Sequence, residues 1–149
     1  MLQNCEGVVG YDGEPNLETL VAFKKGDILL SNIRPYLKKL WLADRDGGCN
    51  PDVLVIRLTD DNYLPEYIYG CLARQQFFDY VMSNVKGMKM PRGNKNHIIR
   101  YSLPKATLEE QRKIVDEIAT YQKKIEEAKQ LMTTAELRKQ AVLQSYLSL

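Results

Sequence analysis

Ten positions near the C-terminus recur at alternating intervals of four and three residues: Ile114, Ile118, Tyr121, Ile125, Ala128, Met132, Ala135, Lys139, Val142 and Tyr146. Nine of them are apolar or aromatic. That is the pattern of a helix with one apolar seam, the kind that packs against another helix. The start of the helix is marked by Thr107-Leu108-Glu109-Glu110, just after Pro104. There the threonine hydroxyl is placed to take the Glu110 amide, and Glu110 to reach back. No Gly or Pro interrupts Thr107 to Tyr146, so the pattern predicts one helix roughly 60 Å long. A domain of about a hundred residues has a radius of gyration of only ~13 Å. Such a helix is expected to outrun the domain it grows from, and its seam calls for a second helix. Lys139 interrupts the seam, either as a register-setting defect or as a lysine that snorkels to water.

Before the helix the pattern is mixed. Gly26-Asp27 reads as a turn entering a short buried strand, Ile28-Leu-Leu-Ser31. Trp41-Leu-Ala43 reads as another short strand. Val53-Leu-Val-Ile-Arg-Leu58 is a β-branched run expected as a central strand, closed by a Thr59-Asp-Asp-Asn62 turn. Pro65 suits the first position of a helix whose apolar face is Tyr67, Ile68, Cys71 and Leu72. After a break, Phe77, Phe78, Val81 and Met82 form a second helical face. Ile98-Ile-Arg-Tyr-Ser-Leu103 reads as a strand ending at Pro104. The first fifteen residues, with Gly7, Gly10, Gly13 and Pro15, read as loop or sheet edge. The expected fold class is α+β: a domain over residues 1–105 with mixed or antiparallel pairing, then the long helix over 106–149.

Composition changes little in this picture. The chain has 149 residues, 44% hydrophobic and 27% charged, which suits one globular domain with its own core. No apolar run reaches membrane-spanning length, and Met1-Leu-Gln-Asn-Cys-Glu6 lacks a basic-then-apolar signal region. Cys5, Cys49 and Cys71 are odd in number and far apart, without a CxxC pair and with a single histidine, His97. This argues against zinc and for a reducing cytoplasm.

Charge changes it more. The net charge is only +2, yet residues 86–105 hold six cations and no acid: Lys86, Lys89, Arg92, Lys95, Arg100 and Lys105. The first 85 residues hold eight cations against twelve acids. With Gly87, Gly93, Asn94 and Asn96, the basic segment reads as an exposed loop suited to phosphate contacts. The plainer alternative is a solvated charged loop. A second candidate follows the first strand: Ser31-Asn32-Ile33-Arg34-Pro35-Tyr36-Leu37-Lys38-Lys39. Arg34 suits guanine edges, Asn32 adenine, and Lys38 and Lys39 phosphate. Against this stands a simple Pro35–Tyr36 corner with solvated lysines. The candidate DNA-contacting residues are therefore Ser31, Asn32, Arg34, Tyr36, Lys38, Lys39, Lys86, Lys89, Arg92, Asn94 and Lys95. The candidate helix-packing residues are Ile114, Ile118, Tyr121, Ile125, Met132 and Val142.

Catalytic patterns are missing. Asn50-Pro51-Asp52-Val53 lacks the second proline and the aromatic that an amino-methyltransferase uses to hold its target amine. There is no GxGxxG or GxxxxGK[ST] phosphate cradle. Pro51-Asp52 is not followed by the Glu-x-Lys of a metal-dependent nuclease, and His97 has no adjacent carboxylate, so a phosphate or packing contact suits it better than a general base.

Four stretches then carry a family resemblance. Gly26-Asp-Ile-Leu-Leu-Ser-Asn-Ile-Arg34, Asn50-Pro-Asp-Val-Leu-Val-Ile-Arg57, Gly87-Met-Lys-Met-Pro-Arg-Gly-Asn-Lys95 and Tyr101-Ser-Leu-Pro-Lys-Ala-Thr-Leu-Glu-Glu-Gln-Arg-Lys-Ile-Val115 fall in this order. Together they resemble a specificity subunit of type I restriction–modification enzymes, from about Phe23 onward. The last stretch, running into the long helix, is the strongest. Such subunits pair two target-recognition domains with two long conserved helices, packed antiparallel as a ruler between DNA half-sites. The resemblance implies a target-recognition domain over 1–105 and a conserved spacer helix over 106–149. It implies duplex DNA, a methyltransferase subunit and a restriction subunit as partners. S-adenosylmethionine, ATP and magnesium would be held by those partners, leaving this chain without cofactor or chemistry. The chain departs from the family in carrying one half, with a short start to its recognition domain. A fragment and a half-subunit that pairs with a second copy are both open. The competing reading is a coiled-coil adaptor whose globular head binds protein.

Overall fold

The computed structural model describes residues 1–10, 13 and 19–147. It divides into two units, Met1–Gln111 and Arg112 onward. The first is an α+β unit in which every described strand pair is antiparallel. β1 (Val21–Phe23) leads through a tight turn into β2 (Ile28–Ser31). β2 is the middle of a three-stranded sheet, between β3 (Leu40–Leu42) and β5 (Val53–Ile56). β4 (Gly47–Cys49) pairs with β1. Helices α1 (Pro65–Leu72) and α2 (Gln75–Met82) follow. A short hairpin, β6 (Val85–Lys86) with β7 (Arg92–Gly93), comes next, then a single turn of helix, α3 (Lys95–Ile98).

β2 is central because its residues are apolar on both faces. Ile28, Leu29 and Leu30 are all essentially buried, and a strand covered on both sides has no polar alternation to show. On one face Leu29 joins Phe23 and Ala43, with Trp41, Val53 and Val55 packed around them. Phe23 meets Trp41 edge to face at 5.7 Å, the geometry aromatic pairs prefer. Elsewhere Phe77, Phe78 and Val81 of α2 are fully buried, and Phe77 also meets Tyr101 at 5.0 Å.

The turn into β2 holds a buried carboxylate. Gly26 takes φ +89°, open to glycine at no steric cost. Asp27 then turns inward, 3% exposed. It accepts the Lys24 amide at 2.7 Å and the Arg57 guanidinium through both oxygens, at 2.8 and 2.6 Å. The Arg57 hydrogen bonds hold the Asp27 carboxyl below its ordinary range, against the opposing pull of burial.

Two expected strands change. Val53–Ile56 lies at the edge of its sheet, not the centre. Its half-buried residues pair only with β2. Ile98–Leu103 is not a strand: Ile98 closes α3 and residues 101–107 follow without regular structure. The Asn94 side chain accepts the Asn96 amide, a helix cap that diverts the chain before the Ile-Ile pair is reached. The expected loop over 86–105 is likewise not a loop throughout, since it opens with the hairpin and contains α3. Residues 1–10 hold turns and no strand. Pro15 lies outside the described residues.

α4 spans Leu108–Leu147. Its first turn belongs to the first unit and is capped as the sequence predicts. The Glu110 amide donates to Thr107 Oγ1 at 3.3 Å, and the Thr107 amide to Glu110 Oε2 at 2.7 Å. Gln111 is fully buried. Its Oε1 accepts the Leu64 amide at 2.9 Å, and its Nε2 donates to the Asn62 and Ala106 carbonyls, each at 2.9 Å. From Asp116 to Leu147 every residue is exposed. The seam is no exception: Ile118 is 41% exposed, Ile125 54% and Met132 70%. Among the described residues no helix is long and apolar enough to cross a membrane.

Candidate nucleic-acid interface

The two basic segments, 47 positions apart at their nearest residues, Lys39 and Lys86, meet in the structure through Asn32–Arg34 and Pro91–Gly93. After Ser31 the chain leaves β2, and the Asn32 amide donates to the Asp52 carbonyl at 2.8 Å. The Asn32 carbonyl accepts the Gly93 amide at 3.1 Å, Ile33 bridges Arg92, and the Arg34 amide donates to Pro91 at 2.8 Å. The Asn32–Arg34 segment thus lies as a third strand-like edge along the β6–β7 hairpin. Main-chain groups carry all of these contacts.

Gly93 explains how closely they approach. A Cβ there would stand 2.7 Å from Asn32 Oδ1 and 3.0 Å from Ile98 Cδ1. Only glycine leaves room for the Asn32 amide group, which is buried with Oδ1 unpartnered among the described residues. The hairpin and this edge border a shallow cleft of about 630 Å³. Asn32, Lys86, Arg92, Asn94 and Lys95 all line it.

The candidate residues therefore separate into groups. Lys86, Lys89, Arg92 and Lys95 are exposed on the hairpin and the turn that follows. Arg92 forms an ion pair with Asp52 at 3.2 Å, both side chains about half exposed. Asn94 is occupied: it caps α3, and its Nδ2 donates to Asn84 Oδ1 at 3.3 Å. Arg34 is exposed beside the hairpin and takes a left-handed φ of 50°. Ser31 Oγ donates to the Ile33 carbonyl at 3.3 Å. Pro35 is buried and Tyr36 half exposed, in one turn of 3-10 helix. Lys38 and Lys39 belong to a different neighbourhood. The Asn4 and Cys5 amides donate to the Leu37 and Lys38 carbonyls, and the Lys39 carbonyl accepts from Ser31.

His97 packs rather than reaching outward. Its ring stacks on Tyr80 at 3.9 Å with 12° between planes, and Nε2 lies 3.0 Å from the Tyr80 carbonyl. Sequence reasoning missed Asp52, Gly93 and Asn84, the residues that arrange this surface. Gly93 left a trace as one glycine in a basic run, and Asp52 was weighed only as a catalytic acid.

No family model matches the chain. Over 93 residues the chain is 29% identical to the specificity subunit of the type I restriction enzyme EcoDI of Escherichia coli, covering 62% of this chain and 20% of that protein. The fold superposes on the HsdS subunit of Thermoanaerobacter tengcongensis with a TM-score of 0.63 at 28% identity, over 83% of this chain and 33% of that one. A chain from a structure concerned with complex assembly and conformational transition of a type I restriction–modification system gives 0.66 at 25% identity, over 90% and 35%. In sequence and in fold this chain is similar to type I restriction–modification specificity subunits, and it spans a fifth to about a third of the length of the proteins it matches.

Proposed function

We propose that this chain reads one DNA half-site for a type I restriction–modification assembly. Residues 1–105 act as the target-recognition domain and 106–149 as the spacer and pairing helix. The chain performs no chemistry itself; methyl transfer, ATP use and cleavage belong to methyltransferase and restriction subunits that it docks. One observation supports the reading: the Asn32–Arg34 segment is bonded through its main chain to Pro91–Gly93 of the acid-free basic segment, which sets Arg34 beside the hairpin cations. A duplex presents a phosphate roughly every 1.7 Å, and Lys86, Lys89, Arg92, Lys95 and Arg34 display cations to match it.

The helix supports a second part of the reading. Its seam, from Ile114 through Ile118, Tyr121, Ile125 and Met132 to Val142, is exposed in a single copy. We assign it to a second long helix; a second copy of this chain is the source tested below. An apolar stripe of that length left in water invites aggregation.

Duplex binding across a salt series tests the surface. Lys89→Ala with Lys95→Ala is expected to weaken binding about equally on all sequences. The same pair of changes should flatten the salt slope by roughly one unit for each phosphate that is no longer neutralised. A double variant that binds like the parent at every salt concentration removes the assignment.

A further inference from the structure

The hairpin carries an apolar side chain that nothing among the described residues covers. β6 and β7 pair for only two residues, Val85 with Gly93 and Lys86 with Arg92. The tip between them turns at Gly87, with φ +84°. Met88 follows and is 102% exposed, more than any other large apolar residue among those described. Met90 beside it is half exposed. In sequence Lys86, Lys89 and Arg92 flank these two residues, with no acid from 86 to 105. Met90 lines the same shallow cleft as Lys86 and Arg92, and the one carboxylate paired there among the described residues is Asp52, on Arg92.

An apolar tip inside a cationic collar fits a partner with the opposite layout, anionic outside and apolar within. A protein pocket for methionine would need a rim of carboxylates to meet this collar. Stacked nucleic acid has the layout intrinsically: phosphates line the outside and base faces lie between them. Unbranched, polarisable methionine is among the side chains that enter a base step. We propose that Met88 is a wedge that inserts between adjacent base pairs of bound duplex DNA, with Lys86 and Lys89 on the phosphates flanking that step. This rests on the DNA-binding reading above. It adds a distinct consequence: the bound duplex is kinked at the hairpin, and the energy of unstacking that step enters the choice of site.

The experiment uses the full chain with short duplexes of mixed sequence, measuring affinity across salt and the bend by duplex cyclisation. The parent is expected to bind and to raise the cyclisation rate. Met88→Ala is expected to bind roughly tenfold more weakly, to keep the parent's salt slope, and to abolish the bend. Met88→Leu is expected to restore both. Because Met88 is fully exposed, neither change disturbs the fold, which denaturation curves check. If Met88→Ala binds and bends like the parent while the Lys89/Lys95 variant has a flatter salt dependence, the wedge is wrong and the DNA surface stands. Weaker binding by Met88→Ala without any parental bend also overturns the wedge. A parent that ignores duplex, or that prefers vesicles of anionic lipid, overturns the wedge together with the reading it rests on.

Discussion

Gln111 and Ile114 sit three residues apart on α4 in opposite circumstances. The polar one is fully buried with its amide oxygen and both amide hydrogens engaged; the apolar one is 40% exposed. Burial of a polar amide costs least when all its partners are present, as they are for Gln111. Exposure of a regular apolar seam makes sense only when a partner covers it. The first unit therefore carries its stability internally. The helix from Arg112 onward carries the exposed seam for which a covering helix is proposed above.

The largest expected effect lies on the helix. Ile118→Asp or Ile125→Asp places a charge in the proposed seam and is expected to cost several kcal/mol of pairing if the site is fully desolvated. By sedimentation the parent should be a dimer at tens of micromolar and the variant a monomer, while denaturation of the first unit is unchanged. A monomeric parent at that concentration ends the self-pairing idea.

Gln111→Ala is the converse. It strands the Leu64 amide and the Asn62 and Ala106 carbonyls. The expected decrease is about 2–3 kcal/mol of first-unit stability, read as a lower denaturation midpoint with pairing through the seam intact. An unchanged midpoint would mean that water replaces the amide without cost.

What the sequence disclosed follows the same division. Signals confined to a few neighbouring residues were legible: the Thr107–Glu110 cap, the apolar run of β2, Pro65 at the head of α1 and the Phe77–Val81 face. Signals that need two distant residues were not. Asp27 and Arg57 lie thirty positions apart and have no local pattern, and Gly47-Gly48-Cys49 carries no strand propensity, so β1 and β4 could not be matched from sequence. Ile98-Ile99 reads as strand by composition, yet the Asn94 cap decides otherwise. Within the interface the cations could be found by counting. Their meeting with Arg34 depends on main-chain bonds that any sequence could make. Nothing about Gln111 marked it as buried.

The smallest expected effect tests whether the first unit's polar interior behaves as described. Arg57 lowers the Asp27 carboxyl, so the pair's contribution is complete above the unfolded carboxylate value of about 3.9. It is lost as pH falls through the lower folded value. Asp27→Asn should therefore be less stable than the parent at neutral pH, with the gap closing below about pH 4. A gap that is constant with pH would assign the cost to shape and not to charge.

The stitching of the Asn32–Arg34 edge to the hairpin has a consequence for how such a surface can change over time. Peptide groups make the joints, through Asn32, Arg34, Pro91 and Gly93, and peptide groups are the same whatever side chain they bear. Gly93 is pinned by lack of space, but Arg34, Lys86, Met88 and Lys89 project from the scaffold without holding it together. Substitution at those positions alters what is displayed and leaves the frame standing. Such a frame is permissive to drift in the side chains it displays and intolerant where the chain crosses itself; on the proposed DNA-reading role, that would let new binding preferences arise one residue at a time without an unfolded intermediate.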